Sequence, residues 1–118
     1  MSSRELTADA ELEKLQDESF SYFLHETNSV NGLVIDKTAA DWPASIAATG
    51  LALAAYPVAV ERGFMPRAAA VERTLTTLRF FWNSPQGPEP DATGYQAFII
   101  IFSTCGAAGA PGNANCQR

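Results

Sequence analysis

The sequence predicts an all-α fold, on three observations. Three segments carry apolar residues at helical spacing, each is bounded by capping or breaking residues, and the composition is globular. Of 118 residues, 47% are hydrophobic and 18% charged, too apolar for a disordered tail and without the period of a fibrous repeat. Eight Lys and Arg against 13 Asp and Glu give a net charge of -5. That argues against nucleic acid or an anionic membrane surface as the main partner, because both select a basic face. No apolar stretch approaches the roughly 18 residues of a membrane span. Met1-Ser2-Ser3-Arg4-Glu5 leads into acidic residues rather than an apolar core, so no secretory signal is expected and the expected compartment is the cytoplasm.

Residues 9–27 are the first expected helix. Asp9 is its expected cap, and Leu12, Leu15, Tyr22 and Phe23 fall on one side at helical spacing, with Phe20 at the edge. A loop follows from Asn28 to Pro43, with Asn31-Gly32 as a turn signal and Trp42-Pro43 as a stop. Residues 44–62 are the second helix, closed by Gly63 as a left-handed cap after Glu61-Arg62. Ile46, Leu51, Leu53, Val58, Val60 and the alanines among them leave it almost no polar side, which predicts burial all round. Pro57 removes one backbone donor and should kink it.

Pro66 is expected to open the third helix at its first position, where a missing N–H costs nothing. Val71, Leu75, Leu78 and Trp82 form its apolar stripe, Arg67, Glu72, Arg73 and Arg79 its wet side, and Asn83-Ser84-Pro85-Gln86-Gly87-Pro88 its end. Three helices cannot surround one of their own members. The second helix therefore calls for further neighbours, and the sequence reads as a slice of a larger helical domain.

Composition changes near residue 97. Residues 4–26 carry nine charges and residues 61–79 six, whereas Arg118 is the only charge from Ala97 onward. This last segment holds five Ala, three Gly and both Cys, and lacks the period of a helix or strand. An irregular tail is the plain expectation. Phe98-Ile99-Ile100-Ile101-Phe102 is too apolar for a solvated one.

Several ordered motifs carry a family resemblance across roughly residues 10–96. They are Phe20-Ser21-Tyr22-Phe23, Gly32-Leu33-Val34-Ile35-Asp36, Pro43-Ala44-Ser45-Ile46-Ala47-Ala48-Thr49-Gly50, Tyr56-Pro57-Val58-Ala59-Val60-Glu61-Arg62-Gly63 and Thr74-Leu75-Thr76-Thr77-Leu78-Arg79-Phe80-Phe81-Trp82. Together they resemble the opening of the bacterial glucoamylase-like family. The resemblance implies an (α/α)6 toroid of about a dozen helices, several times longer than this chain. It also implies glycoside hydrolysis of glucans, β-1,2-linked ones in some members, by a carboxylate mechanism. Residues 44–62 would be an inner helix of that toroid, and residues 1–96 the N-terminal part of the catalytic domain.

The resemblance also suggests how residues 97–118 arose. After Gly94-Tyr95-Gln96 the family pattern continues Gly-Phe-Tyr-Tyr-His-Phe-Leu-Asp-Met, and later Cys-Glu-Leu-Ser-Thr. Ala97 to Cys105 can be encoded GCT TTT ATT ATC ATT TTC TCG ACA TGC. One G placed before it gives GGC TTT TAT TAT CAT TTT CTC GAC ATG, which translates as that pattern. The expectation is that residues 97–118 are an out-of-frame tail, through a one-base deletion or a sequencing error.

Glycoside hydrolysis needs two carboxyl groups, one protonated and one ionised. The family-like Asp and Glu lie in the shifted frame, so no catalytic residue is expected in the chain as translated. Asp9, Glu11, Glu13, Asp17 and Glu18 read as a solvated helix face, and Glu61 and Glu72 as surface charges paired along a helix. Asp36, Trp42 and Ser45 are the candidate glucan-binding residues, because pocket residues of such toroids come from loops of this kind. Trp42 suits stacking on a sugar ring, or anchors the loop beside Pro43. Asp36 either reaches a pocket or fixes the loop after Asn31-Gly32, and Ser45 either touches sugar or caps the helix.

His25 is the only histidine, so no two-histidine constellation exists, and a helix C-terminus is its expected setting. Cys105 and Cys116, with no His or further Cys nearby, are too little for zinc, and no disulfide is expected in a cytoplasmic chain. Gly106-Ala107-Ala108-Gly109-Ala110 lacks the Lys-Ser/Thr of a phosphate loop. No metal or cofactor is expected. The partners expected are a glucan for the longer parent and, alternatively, a second copy, if the chain is a small interaction module that self-associates through helix 44–62.

Overall fold

Ser2 starts the first helix. The structure, a computed structural model, describes residues 2–39, 43–88, 94–95 and 98–99. Helix α1 spans Ser3–His25, seven residues longer at its start than the Asp9 cap implied, because Ser2-Ser3-Arg4-Glu5 is a capping box. The Glu5 N–H donates to Ser2 Oγ at 3.4 Å, and the Ser2 N–H donates to Glu5 Oε2 at 2.6 Å. The Ser2 backbone N–H, and after it the Ser2 side chain, hold the Glu5 carboxyl below its ordinary range.

Only the last turns of α1 pack. Phe20 is its one buried residue, while Leu12 and Leu15 stand exposed and Tyr22 and Phe23 are half-buried. The expected stripe is thus displaced: Phe20 is the centre of the contact, not its edge. Its ring meets Tyr56 edge-on at 6.4 Å and stacks on Phe64 at 6.3 Å.

Helix α2, Ile46–Glu61, packs on α1 and on α3, Arg67–Asn83. Its buried side is Ala48, Thr49, Ala52, Tyr56 and Ala59, a row of small residues around one large ring. This makes α2 the most buried helix, as its composition implied, but not all round: Ile46, Leu51 and Val58 are exposed. Two helices cover one face and leave the opposite one open. The helix runs unbroken through Pro57, which sits on that open side. Gly63 closes the turn after it at φ +76, in the left-handed region expected.

Pro66 is the cap residue of α3 rather than its first helical residue. The larger correction concerns the α3 stripe. Val71, Leu75, Leu78 and Trp82 all face outward, Trp82 at 89% exposure, and the buried positions are Ala70 and Thr77. Periodicity finds a stripe but not the surface it meets. Here close approach of a glycine turn to α3 selects the small side.

The described residues are all-α apart from short bridges and one two-residue antiparallel pairing, Gly94–Tyr95 with Phe98–Ile99. That pairing straddles the expected boundary between residues 96 and 97. The rest of the tail, with Cys105 and Cys116, lies outside the described residues. No helix among the described residues is long and apolar enough to cross a membrane.

Candidate functional site

The connection between α1 and α2 is better ordered by hydrogen bonds than the word loop suggests. Asn28 Oδ1 accepts the N–H groups of Val30 at 2.8 Å and Asn31 at 3.4 Å, and Asn31 Oδ1 accepts that of Leu33 at 2.9 Å. Backbone bonds from Gly32 N–H to Asn28 O and from Asn28 N–H to Leu33 O, both 2.8 Å, close the turn. Gly32 adopts φ +74, as its Asn-Gly turn signal implied.

Residues Asn31 to Ile35 are all buried. Val34 sits in the main cluster with Phe20, Ala52 and Tyr56, and Leu33 in a second with Ala44, Phe80 and Phe81. Thr49 Oγ1 accepts the Val34 N–H at 3.1 Å and donates to Ser45 O at 2.8 Å. The Ser45 N–H donates to Val34 O at 3.0 Å, and the Asp36 N–H to Pro43 O at 3.1 Å. These bonds draw the two ends of the connection together, so Asp36 and Ser45 flank the antiparallel Ile35–Ala44 bridge just before α2.

Ser45 is half-buried and caps α2, its Oγ accepting the Ala48 N–H at 3.4 Å. Asp36 is exposed. Trp42 lies outside the described residues.

Two residues of the α1 C-terminus also bear on this connection, Tyr22 and Glu26. The Tyr22 hydroxyl donates to Ile35 O at 2.5 Å, pinning α1 to the buried run. Burial pushes the Tyr22 phenol above its ordinary value, and the charges of Glu26 and then Asp36 push it the same way. The signal available was spacing: Tyr22 and Glu26 are one turn apart on α1, at the end that carries the loop.

No carboxyl among the described residues is buried. The same residues include no group of three His, Cys, Asp or Glu suited to a metal ion. His25 ends α1 exposed, its Nδ1–H donating to Ser21 O at 2.7 Å. Glu61 and Glu72 are exposed as expected but form no ion pair among the described residues, where the one ion pair is Lys14–Glu18 at 3.6 Å.

No protein-family model matches the chain, and no curated protein and no solved structure matches it. The described residues form an all-α fold with a hydrogen-bonded interhelical loop and uncovered apolar helix faces.

Proposed function

We propose that this chain is the N-terminal section of a glucoamylase-like glycoside hydrolase domain acting on glucans, with β-1,2-glucan as one candidate substrate, and that it is catalytically inactive by itself. The observation that carries this reading is the outward stripe of α3, Val71, Leu75, Leu78 and Trp82. Large apolar residues in register on an open face are what a helix in a toroid keeps for its next neighbour. The open side of α2, with Leu51 and Val58, fits the same design. In this reading Asp36, Trp42 and Ser45 line the loop side of the glucan pocket, and the catalytic carboxylates come from the frame that one added base restores after Gln96.

The test is hydrolysis. The gene with that base restored, expressed with its downstream coding sequence, should release reducing ends from a glucan, while the 118-residue chain releases none. A restored protein that folds and cleaves neither β-1,2- nor α-1,4-linked glucan overturns the reading. The exposed Ile46, Leu51 and Val58 also favour a second reading, a helical interaction module that self-associates through helix 44–62. A stable dimer lost on Leu51→Glu favours the module, and progressive aggregation favours the section of a larger domain.

A further inference from the structure

Two uncovered surfaces of this chain complement each other. The first is an open groove of about 490 Å³ between α1 and α2, walled by Leu15, Phe20 and Phe23 on one side and Ala54 and Val58 on the other, with Phe64. None of its lining residues is charged. The second is the outer face of α3. Val71, Leu75, Leu78 and Trp82 recur at i, i+4, i+7 and i+11, the anchor spacing of a helix that lies in a groove. The chain's own α3 cannot fill its own groove, because α3 is held against the rest of the fold by its opposite side, through Ala70 and Thr77.

Charge says what does fill it. Within α1, Glu5, Asp9, Glu11, Glu13, Asp17 and Glu18 oppose Arg4 and Lys14, so six acids less two bases leave -4. Within α3, Arg67, Arg73 and Arg79 oppose Glu72, so three bases less one acid leave +2. At 3.6 residues per turn, Arg67 and Arg79 fall on either side of the α3 stripe. On α1, Glu11 and Glu18 lie on the side away from buried Phe20, and Asp9 and Glu13 lie N-terminal to the groove, whose lining begins at Leu15. All six of these charges are exposed. A lipid surface has no use for an acidic wall, since anionic headgroups select bases.

We propose that a second copy of this chain lays its α3 in the α1–α2 groove, with Val71, Leu75, Leu78 and Trp82 as anchors and the net positive charge of α3 drawn to the net negative charge of α1. The contact joins two different surfaces, and two such contacts about a two-fold axis close a dimer. It differs from α2 meeting α2, and it concerns the chain as it stands rather than the glucan-hydrolysing parent.

Sedimentation of the full chain across the micromolar range tests it. The expected result is a mass that rises with concentration, with a Kd that weakens as salt is added. Leu78→Glu on α3 and Val58→Glu in the groove should each weaken it about tenfold or more, at unchanged circular dichroism, because both positions are exposed. Mixing the two variants should regain association, since one intact groove then meets one intact α3. Arg67→Glu with Arg79→Glu should weaken it, and Glu11→Lys with Glu18→Lys in the other copy should restore it. A monomer at every concentration, association indifferent to Leu78→Glu, or a mixture that fails to regain it overturns the proposal. Binding to phosphatidylcholine vesicles in place of self-association does so too. None of these results touches the hydrolysis assay.

Discussion

Gly32→Ala tests the packing of the interhelical turn on α3. A Cβ built at Gly32 meets Thr77 Oγ1 at 2.1 Å and Thr77 Cα and Cβ at 2.9 Å, and the residue holds φ +74. The left-handed backbone alone costs an L-residue about 1–2 kcal/mol. The overlap reaches the backbone of a packed helix, which a side-chain rotation cannot relieve, and overpacking of this kind costs about 1–3 kcal/mol. The expected destabilisation is therefore about 2–5 kcal/mol. A domain of this size holds about 5–15 kcal/mol in total, so the loss is a large fraction of it.

Two other glycines serve as controls. Gly63 has φ +76 but open space, so Gly63→Ala isolates the backbone cost of about 1–2 kcal/mol. Gly50 lies in α2 with nothing within 4 Å, so Gly50→Ala should stabilise by about 0.5–1 kcal/mol. Urea midpoints followed by circular dichroism, with unchanged slopes, rank the three. If Gly32→Ala proves no worse than Gly63→Ala, Gly32 does not lie against Thr77 and the arrangement of α3 is wrong.

Other substitutions probe single contacts. Tyr56 Oη is buried with no hydrogen-bond partner among the described residues, so Tyr56→Phe should be neutral or stabilise by about 1 kcal/mol, and a loss of that size would count against this packing. Ser45→Ala removes the α2 cap and should cost about 1 kcal/mol in a thermal or urea melt; no measurable cost counts against the cap. The Tyr22 phenol is raised in the folded state, so the fold binds its proton more tightly than the unfolded chain does. Its contribution is complete below the ordinary value of 10.0 and is lost as pH climbs through the folded value, a decline that Tyr22→Phe should abolish. Glu5 has the opposite sign: its help to the start of α1 is present above its ordinary carboxylate value and disappears as pH falls through the lowered one. Amide exchange in the first turn of α1 reads this directly, and Glu5→Gln should remove the pH step.

Much of the fold was legible because local signals are short-ranged. Caps and breakers placed three helices, and Asn31-Gly32, Ser45 and Gly63 do what their types suggest. Burial was less legible, because it depends on which partner arrives. Leu12 and Leu15 satisfy the period of a core stripe yet stand in water, since α1 packs only from Phe20 onward. On α3, close approach of Gly32 selects Thr77, and Ala70 packs into the cluster around Phe20 and Tyr56.

The run Leu33-Val34-Ile35 lies within an expected loop, yet its three consecutive apolar residues between a turn and an acid are buried like a short strand. At the candidate site, the position of Ser45 before α2 made its capping role legible. Tyr22 and Glu26 were not legible, because their link to the loop is a backbone carbonyl 13 residues away and a through-space charge, neither of which leaves a motif.

The proposed glucan-hydrolase origin rests most directly on the coding sequence at and beyond codon 97. Sequencing of the gene from codon 90 onward should show that one added base opens a frame reading Gly-Phe-Tyr-Tyr-His-Phe-Leu-Asp-Met and continuing through further paired acids. An undisturbed frame, with no such continuation in either alternative frame, would contradict the account.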